Sequence, residues 1–356
     1  MEQINNPFPW LELMDRPAFC VKDGAVVALN AAAAHRMLDL GTNVQEIVKE
    51  HYGAYQALQN GRLYVTAYIG GIPCNASVTR TLDCDIFVVN QDMDDGQLQA
   101  LALAAQQLRI PLSNVMTVYD QLAAKENEDP QAQRQASQMS QGLYQLMRII
   151  SNMSDAGYYQ NSGDVGMESV ELASVFDEIM EKVQAIYSDR DITVSYSGLP
   201  FSVFAVANTE KLERAVYNLI SNAIKFAPSG SNVEVKLTKS EDLLSFTVVN
   251  PYDPASKLPS FWDRYRREPA IEDPRYGVGL GMTLVSSVAA CHGGTVLIDH
   301  PTEGETRVTM TISAQQKNSD AVRSPVMRIG DYAGGRDRAL LELSDVLSEN
   351  SYKKVN

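Results

Sequence analysis

Residues 218–228 read NLISNAIKFAP, and the spacing within this run governs how the rest of the chain is understood. Asn218, Asn222 and Lys225 recur at i, i+4 and i+7, so a helix carries all three on one face. Leu219, Ile220 and Ile224 fall on other faces, where they can join a core. Two amides and a cation suit oxygen coordination of a metal and the charge of a phosphate. A solvated polar stripe is the plainer alternative. The helix is predicted over 209–226 with Thr209 as its cap.

Helix and strand signals alternate around this run, over 166–314. Leu172, Val175, Phe176, Ile179, Val183 and Ile186 follow helical spacing. Strands are predicted at 192–197, 203–207, 232–239, 243–250, 295–299 and 306–313, with a further helix near 280–291. The sum is a mixed sheet covered on one face by helices. GVGLGMTL, residues 277–284, opens that last helix. Gly277, Gly279 and Gly281 allow phosphate to approach backbone N–H groups and the positive end of the helix dipole, although a flexible turn is the commoner explanation of such a run. No Gly-Lys-Ser/Thr follows, which excludes a Walker loop.

Upstream, residues 92–160 are rich in Gln and Ala. Leu98, Leu101, Ala105, Leu108, Leu112, Val115, Tyr119 and Leu122 alternate spacings of three and four, as do Ala132, Ala136, Met139, Leu143, Leu146, Ile150 and Met153. This 3.5-residue period predicts two helices with narrow apolar seams, joined at KENEDP, where Asp129 caps and Pro130 takes the first helical position. One hairpin cannot bury both seams. A homodimer through 92–156, forming a four-helix bundle, is the expectation, and packing against the chain's own domains the alternative. Residues 1–91 show short strands with small helices, including a hairpin about Asp23-Gly24. Residues 315–356 combine a polar linker with a short apolar stripe, Leu340, Leu343, Val346 and Leu347, expected to dock on the body of the protein.

The 356 residues are 45% hydrophobic with a formal net charge of −14. Global disorder is excluded, and the acidic balance argues against nucleic-acid or anionic-membrane binding. No apolar run approaches the roughly 20 residues of a spanning helix, so a cytoplasmic protein is expected. Four scattered cysteines argue for buried thiols rather than disulfides or zinc.

Taken in order, these elements resemble the histidine-kinase-type ATPases of the GHKL superfamily. NLISNAIKFAPSG looks like their asparagine box, FWDRYRR (261–267) their phenylalanine box, GVGLGM their glycine box, and CHGGTVLI with GETRVTMTIS their closing strands. The resemblance implies an α/β sandwich binding ATP and Mg²⁺. Asn222 would ligate the metal, Asn218 and Lys225 contact phosphates, and Phe226 lie by the adenine. Gly277, Gly279 and Gly281 would shape the lid hinge, with Arg264, Arg266, Arg267 and Arg275 available for phosphate pairing. His292 reads as a turn residue at a helix end. Where the family has an Asp-x-Gly-x-Gly turn, this chain has Asn250-Pro251-Tyr252-Asp253-Pro254. Asn250 retains an oxygen for the adenine amino group. Tyr252 and Pro254 replace the glycines, and weakened nucleotide binding is expected.

AQQLRIPL, residues 105–112, resembles the family's dimerisation segment, His-Glu-Leu-Arg-Thr-Pro-Leu, with Leu108, Arg109, Pro111 and Leu112 retained. Gln106 stands at the phospho-acceptor position and Gln107 at the general-base position. An amide nitrogen offers no nucleophilic lone pair, so self-phosphorylation is expected to be lost. Ile110 replaces the water-orienting Thr or Asn. The four histidines, His35, His51, His292 and His300, all lie outside 92–156. Residues 17–38 are similar to the start of a small PAS sensor domain. The implied protein is a degenerate, dimeric sensor histidine kinase of the two-component type, binding ATP as a conformational ligand and a response regulator or another signalling protein as partner. An active kinase phosphorylating a partner in trans and a nucleotide-free scaffold are the competing readings.

Overall fold

The Asp23-Gly24 dipeptide adopts positive φ at both residues, 52° and 80°, which is what a two-residue hairpin between twisted strands requires. It joins β1 (Ala18–Lys22) to β2 (Ala25–Leu29). Asn30 then caps α1 (Ala31–His35): its Oδ1 accepts from the Ala33 and Ala18 N–H groups while its Nδ2 donates to the Arg16 carbonyl at 2.7 Å. Two short helices, α2 (Val44–Val48) and α3 (Tyr52–Ala57), precede β3 (Arg62–Ile69), β4 (Ile72–Arg80) and β5 (Asp85–Val89). β4 begins three residues earlier than its sequence signal at 75, because Ile72 pairs with Ile69 directly across the Gly70-Gly71 turn. The computed structural model describes residues 8–14, 16–89, 95–123, 129–158, 166–187, 191–253, 280–315 and 336–352.

The seam period produces α4 (Asp95–Ala123) and α5 (Pro130–Tyr158), with Asp129 Oδ1 accepting from the Gln131 N–H at the start of the second helix. The following segment comprises β6 (Glu168–Glu171), α6 (Leu172–Tyr187), β7 (Thr193–Ser197), β8 (Phe204–Ala207) and α7 (Thr209–Phe226). It continues with β9 (Asn232–Ser240), β10 (Leu243–Pro251), α8 (Leu280–Cys291), β11 (Val296–Asp299), β12 (Glu305–Ser313) and α9 (Arg338–Glu342). The cap of α7 corrects the sequence reading. Asn208, one residue before Thr209, accepts from the Lys211 N–H at 2.9 Å. Asn208 has the extended backbone of a cap residue, whereas Thr209 is already the first residue of the helix.

Both α+β segments share a single ten-stranded sheet, ordered β2-β1-β5-β4-β3-β11-β12-β10-β9-β7. The join is antiparallel pairing of β3 with β11: Arg62 with Ile298, Leu63 with Leu297, Tyr64 with Val296. No sequence signal pointed to this continuity. Pleat alternation sends Tyr64 into the core beneath α6, α7 and α8, while Leu297 packs against the core of the N-terminal segment. The larger core is centred on Phe176 stacked on Phe246, with ring centroids 5.1 Å apart. β7 runs parallel to β9 at the far edge, which makes the sheet mixed.

Within the hairpin, Ala105, Met116, Leu143, Met147 and Ile150 are buried. Met116 lies outside the predicted series, since α4 turns toward α5 and toward Leu341 of the C-terminal segment. Leu108, Val115, Leu122, Met139 and Leu146 keep 48 to 60% of their surface exposed in the single chain. An apolar stripe therefore remains on the outside of the hairpin.

Candidate functional site

The amphipathic pattern of α7 turns Leu212, Val216, Leu219, Ile220 and Ala223 into the core. That packing fixes Arg214, Asn218, Ser221 and Asn222 of the opposite stripe against the first turn of α8 and the middle of α5. Asn222 is half-buried, and its amide nitrogen lies 3.7 Å from the sulfur of Met282. Gly281 is the residue that lets α8 approach. A Cβ at this position would fall 3.0 Å from Asn218 Oδ1 and 3.9 Å from Asn222 Nδ2. Two amides and the opening turn of a 12-residue helix thus converge. That donor set, neutral oxygens beside helix N–H groups, suits a phosphate with a hard divalent cation. Among the described residues no group of His, Cys, Asp and Glu could hold a metal ion by itself. Lys225 is half-buried and Phe226 exposed at the end of α7.

Asn218 itself is buried and engaged within the protein. Its Nδ2 donates to the Arg214 carbonyl at 2.9 Å, and its Oδ1 faces the Arg148 guanidinium at 3.5 Å. The same guanidinium lies 3.4 Å from Ser221 Oγ. Arg148 belongs to α5, so the helical hairpin covers part of the stripe.

Arg148 and Arg214 went unnoticed in the sequence. The available signal was a cation, Arg148, inside the apolar series of α5, and another one helical turn before Asn218. Both turn to Glu342, which is completely buried: Arg214 Nε stands 3.1 Å from one carboxylate oxygen and Arg148 Nε 3.5 Å from the other. Arg214 also donates to Asn152 Oδ1 at 2.9 Å, and Arg148 pairs with Asp345 at 2.7 Å.

At the end of β10, Asn250 is buried, and its amide nitrogen donates to the Pro251 carbonyl, which leaves the oxygen as the accepting group. Tyr252 donates its N–H to the Gly304 carbonyl, and its ring meets His300 edge-on at 5.9 Å. The aromatic pair fills space that glycines would leave open. Pro254, Arg264, Arg266, Arg267, Arg275, Gly277 and Gly279 lie outside the described residues.

His292 closes α8. Its Nδ1 bonds the Val288 carbonyl at 2.7 Å, and its Nε2 accepts the Asn208 N–H at 3.0 Å. It fastens the end of one helix to the cap of another, and burial holds its pKa below the ordinary value. On α4, Ala105 is buried while Gln106 and Gln107 are exposed, and Arg109 donates to Ser151 Oγ of α5 at 3.1 Å.

Residues 207–316 match the family described as histidine kinase-, DNA gyrase B- and HSP90-like ATPases. Over 237 residues the chain is 26% identical to hybrid signal transduction histidine kinase D of Dictyostelium discoideum, covering 62% of this chain and 15% of that protein. It is 25% identical over 228 residues to the sensor histidine kinase CusS of Escherichia coli K12 (63% and 47% covered). The signal transduction histidine-protein kinase/phosphatase MprB of Mycolicibacterium smegmatis is 30% identical over 219 residues (58% and 43%). The chain therefore spans less than half the length of these relatives. Among solved structures it is similar to full-length ShkA in complex with AMPPNP, at TM-score 0.45 and 17% identity over 60% of this chain and 45% of that one. It is also similar to histidine kinase ThkA in complex with the response regulator TrrA, at TM-score 0.41 and 13% identity over 86% and 98%. Among the described residues no helix is long and apolar enough to cross a membrane.

Proposed function

This chain is a member of the histidine kinase-type ATPase family, and from that premise we propose that it is a two-component signalling protein that binds Mg²⁺-ATP but does not phosphorylate itself. The observation that carries the reading is the contrast between two places. On α7 and α8 the paired amides Asn218 and Asn222 still meet Gly281. On α4 the exposed acceptor position holds Gln106, with Gln107 beside it. Asn222 would hold Mg²⁺ through its amide oxygen, Lys225 would meet phosphate, and Asn250 would accept from the adenine amino group. The Tyr252–His300 pair at the turn supports weak rather than tight nucleotide binding. ATP then acts as a conformational ligand through its differential affinity for two states.

The apolar stripe Leu108, Val115, Leu122, Met139 and Leu146 supports a homodimer through the hairpin, completed as a four-helix bundle. Residues 1–91 serve as a PAS-like sensor, and output runs through contacts with a response regulator or another signalling protein in the cytoplasm.

Calorimetric titration with Mg²⁺-ATP, alongside Asn222→Ala, tests the reading. Binding that disappears in the variant is the expected result, and absence of binding in both proteins refutes it. Incubation with labelled ATP is expected to leave the chain unlabelled. Gln106→His combined with Gln107→Glu is expected to restore acid-labile label if the acceptor site alone has decayed.

A further inference from the structure

The C-terminal segment, residues 336–352, touches both the helical hairpin and the helices that cover the sheet. Leu341 is completely buried among Met116, Leu143 and Met147 of the hairpin. Ala339, Leu343 and Leu347 enter the core beneath α6 and α7 instead. Polar contacts repeat this division. Gln141 and Gln145 of α5 donate to the Leu347 and Ser344 carbonyls at 2.7 and 3.1 Å. On the other side, Arg338 pairs with Glu213 of α7 at 2.7 Å, and Tyr187 of α6 donates to the Val346 carbonyl at 3.3 Å. Glu342 sits at the centre, its two oxygens shared between Arg148 from the hairpin and Arg214 from α7.

The charge of this buried carboxylate is balanced only while both cations stay near it, Arg214 Nε bonding one oxygen and the Arg148 guanidinium facing the other. Removing either partner strands a charge in the interior, which costs far more than the pair contributes. Parting α5 from α7 would do this to Glu342, so the segment makes their contact all-or-none. That contact is also what brings Arg148 onto Asn218 and Ser221. Asp345, holding the same guanidinium at 2.7 Å, anchors it there.

Resting on the nucleotide-binding reading above, we propose that residues 336–352 form an autoinhibitory strap: they clamp the hairpin on α7, occupy Asn218 through Arg148, and exclude Mg²⁺-nucleotide from the asparagine face. Strap and nucleotide are linked reciprocally, each lowering the affinity for the other by the same factor. The two carboxylates, Glu342 and Asp345, balance the two guanidiniums in the closed state.

The test uses the full-length chain and the double variant Asp345→Ala/Gln145→Ala, which weakens the strap from its solvent side without stranding Glu342. Losing one partly exposed ion pair and one hydrogen bond should tighten Mg²⁺-ATP binding roughly tenfold by calorimetry. Hydrogen exchange should show amides of 338–352 and of α5 near Arg148 losing protection in the variant, and also in the unaltered protein saturated with Mg²⁺-ATP. Unchanged affinity overturns the proposal. So does unchanged exchange in the variant, whatever the nucleotide result. If neither protein binds Mg²⁺-ATP, the nucleotide reading fails and the exclusion with it, whereas binding by both at equal strength overturns the strap alone. Glu342→Gln serves as a second variant: it keeps the shape and removes the charge, and it should open the same amides.

Discussion

Gly61→Ala should part the sheet at the junction of β3 and β11. Gly61 has φ of +99°, and a Cβ there would lie 2.0 Å from the Ile298 carbonyl oxygen and 2.9 Å from Asp299 Cα. Both are backbone atoms of β11, so no side chain can swing away. Relief to ordinary contact near 3.4 Å demands that the strand retreat by more than 1 Å. Hydrogen bonds in a three-pair ladder do not survive such a displacement. At about 1 kcal/mol net per bond the lost ladder costs about 2–3 kcal/mol, and the strained φ of a non-glycine residue adds about 1–2 kcal/mol where the seam stays closed. Gly71→Ala supplies the control. Its φ is +80°, but nothing lies within 4 Å of the added carbon, so it reports the backbone term alone. In guanidinium unfolding the Gly61 variant should lose about 2 kcal/mol more than the control, with exchange protection falling selectively along β3 and β11. Equal losses in the two variants would show that the seam carries no stability and would refute the coupling of the two sheet halves.

Stability should fall in mild acid. Burial depresses the pKa of His292 below its ordinary 6.5, with the charge of Lys211 acting the same way, and burial depresses that of His51 as well. A depressed pKa means the unfolded chain takes up the proton first. Stability is therefore full above about 6.5 and declines as pH drops toward the folded-state value, by at most about 1.4 kcal/mol per pH unit per histidine. Thermal melts of His292→Gln between pH 7.5 and 5 should show a shallower dependence, and an unchanged slope would count against the assignment. If the proposed homodimer forms through the hairpin, Leu108→Glu with Leu146→Glu should convert it to monomer in sedimentation while leaving the circular dichroism intact, since both side chains are about half exposed in the single chain. With about 2 kcal/mol of apolar burial at each site, association should weaken by roughly a hundredfold or more. A dimer that persists would remove the hairpin from the interface.

Legibility in the sequence followed the range of the forces involved. The bounds of the helix at 209–226 were readable, because a strong 3.6-residue pattern runs up to a proline at 228, but its cap was placed on Thr209 and not on Asn208. The error of one residue in its cap arose from a choice between neighbours with similar chemistry. Gln106 could be placed outward from the seam alone, since Ala105 faces inward and a helix turns about 100° per residue. The pairing of Asn218 and Asn222 was likewise local. Their approach to Gly281 was not, for it depends on how closely two helices 60 residues apart come together.

Periodicity, caps and turn dipeptides thus settled which residues form helices and strands, which amides share a face, and that no imidazole stands on the hairpin. These are properties of a few consecutive residues, and short-range sterics and hydrogen bonding are enough to fix them. Tertiary packing alone decided that β3 completes the sheet beside β11, that Arg148 lies on Asn218, and that a single buried carboxylate ties the hairpin to α7. Those outcomes join residues about 190 to 240 positions apart in the case of the Arg148–Glu342 pair and the sheet seam, and their energies depend on desolvation and shape fit that no local pattern encodes.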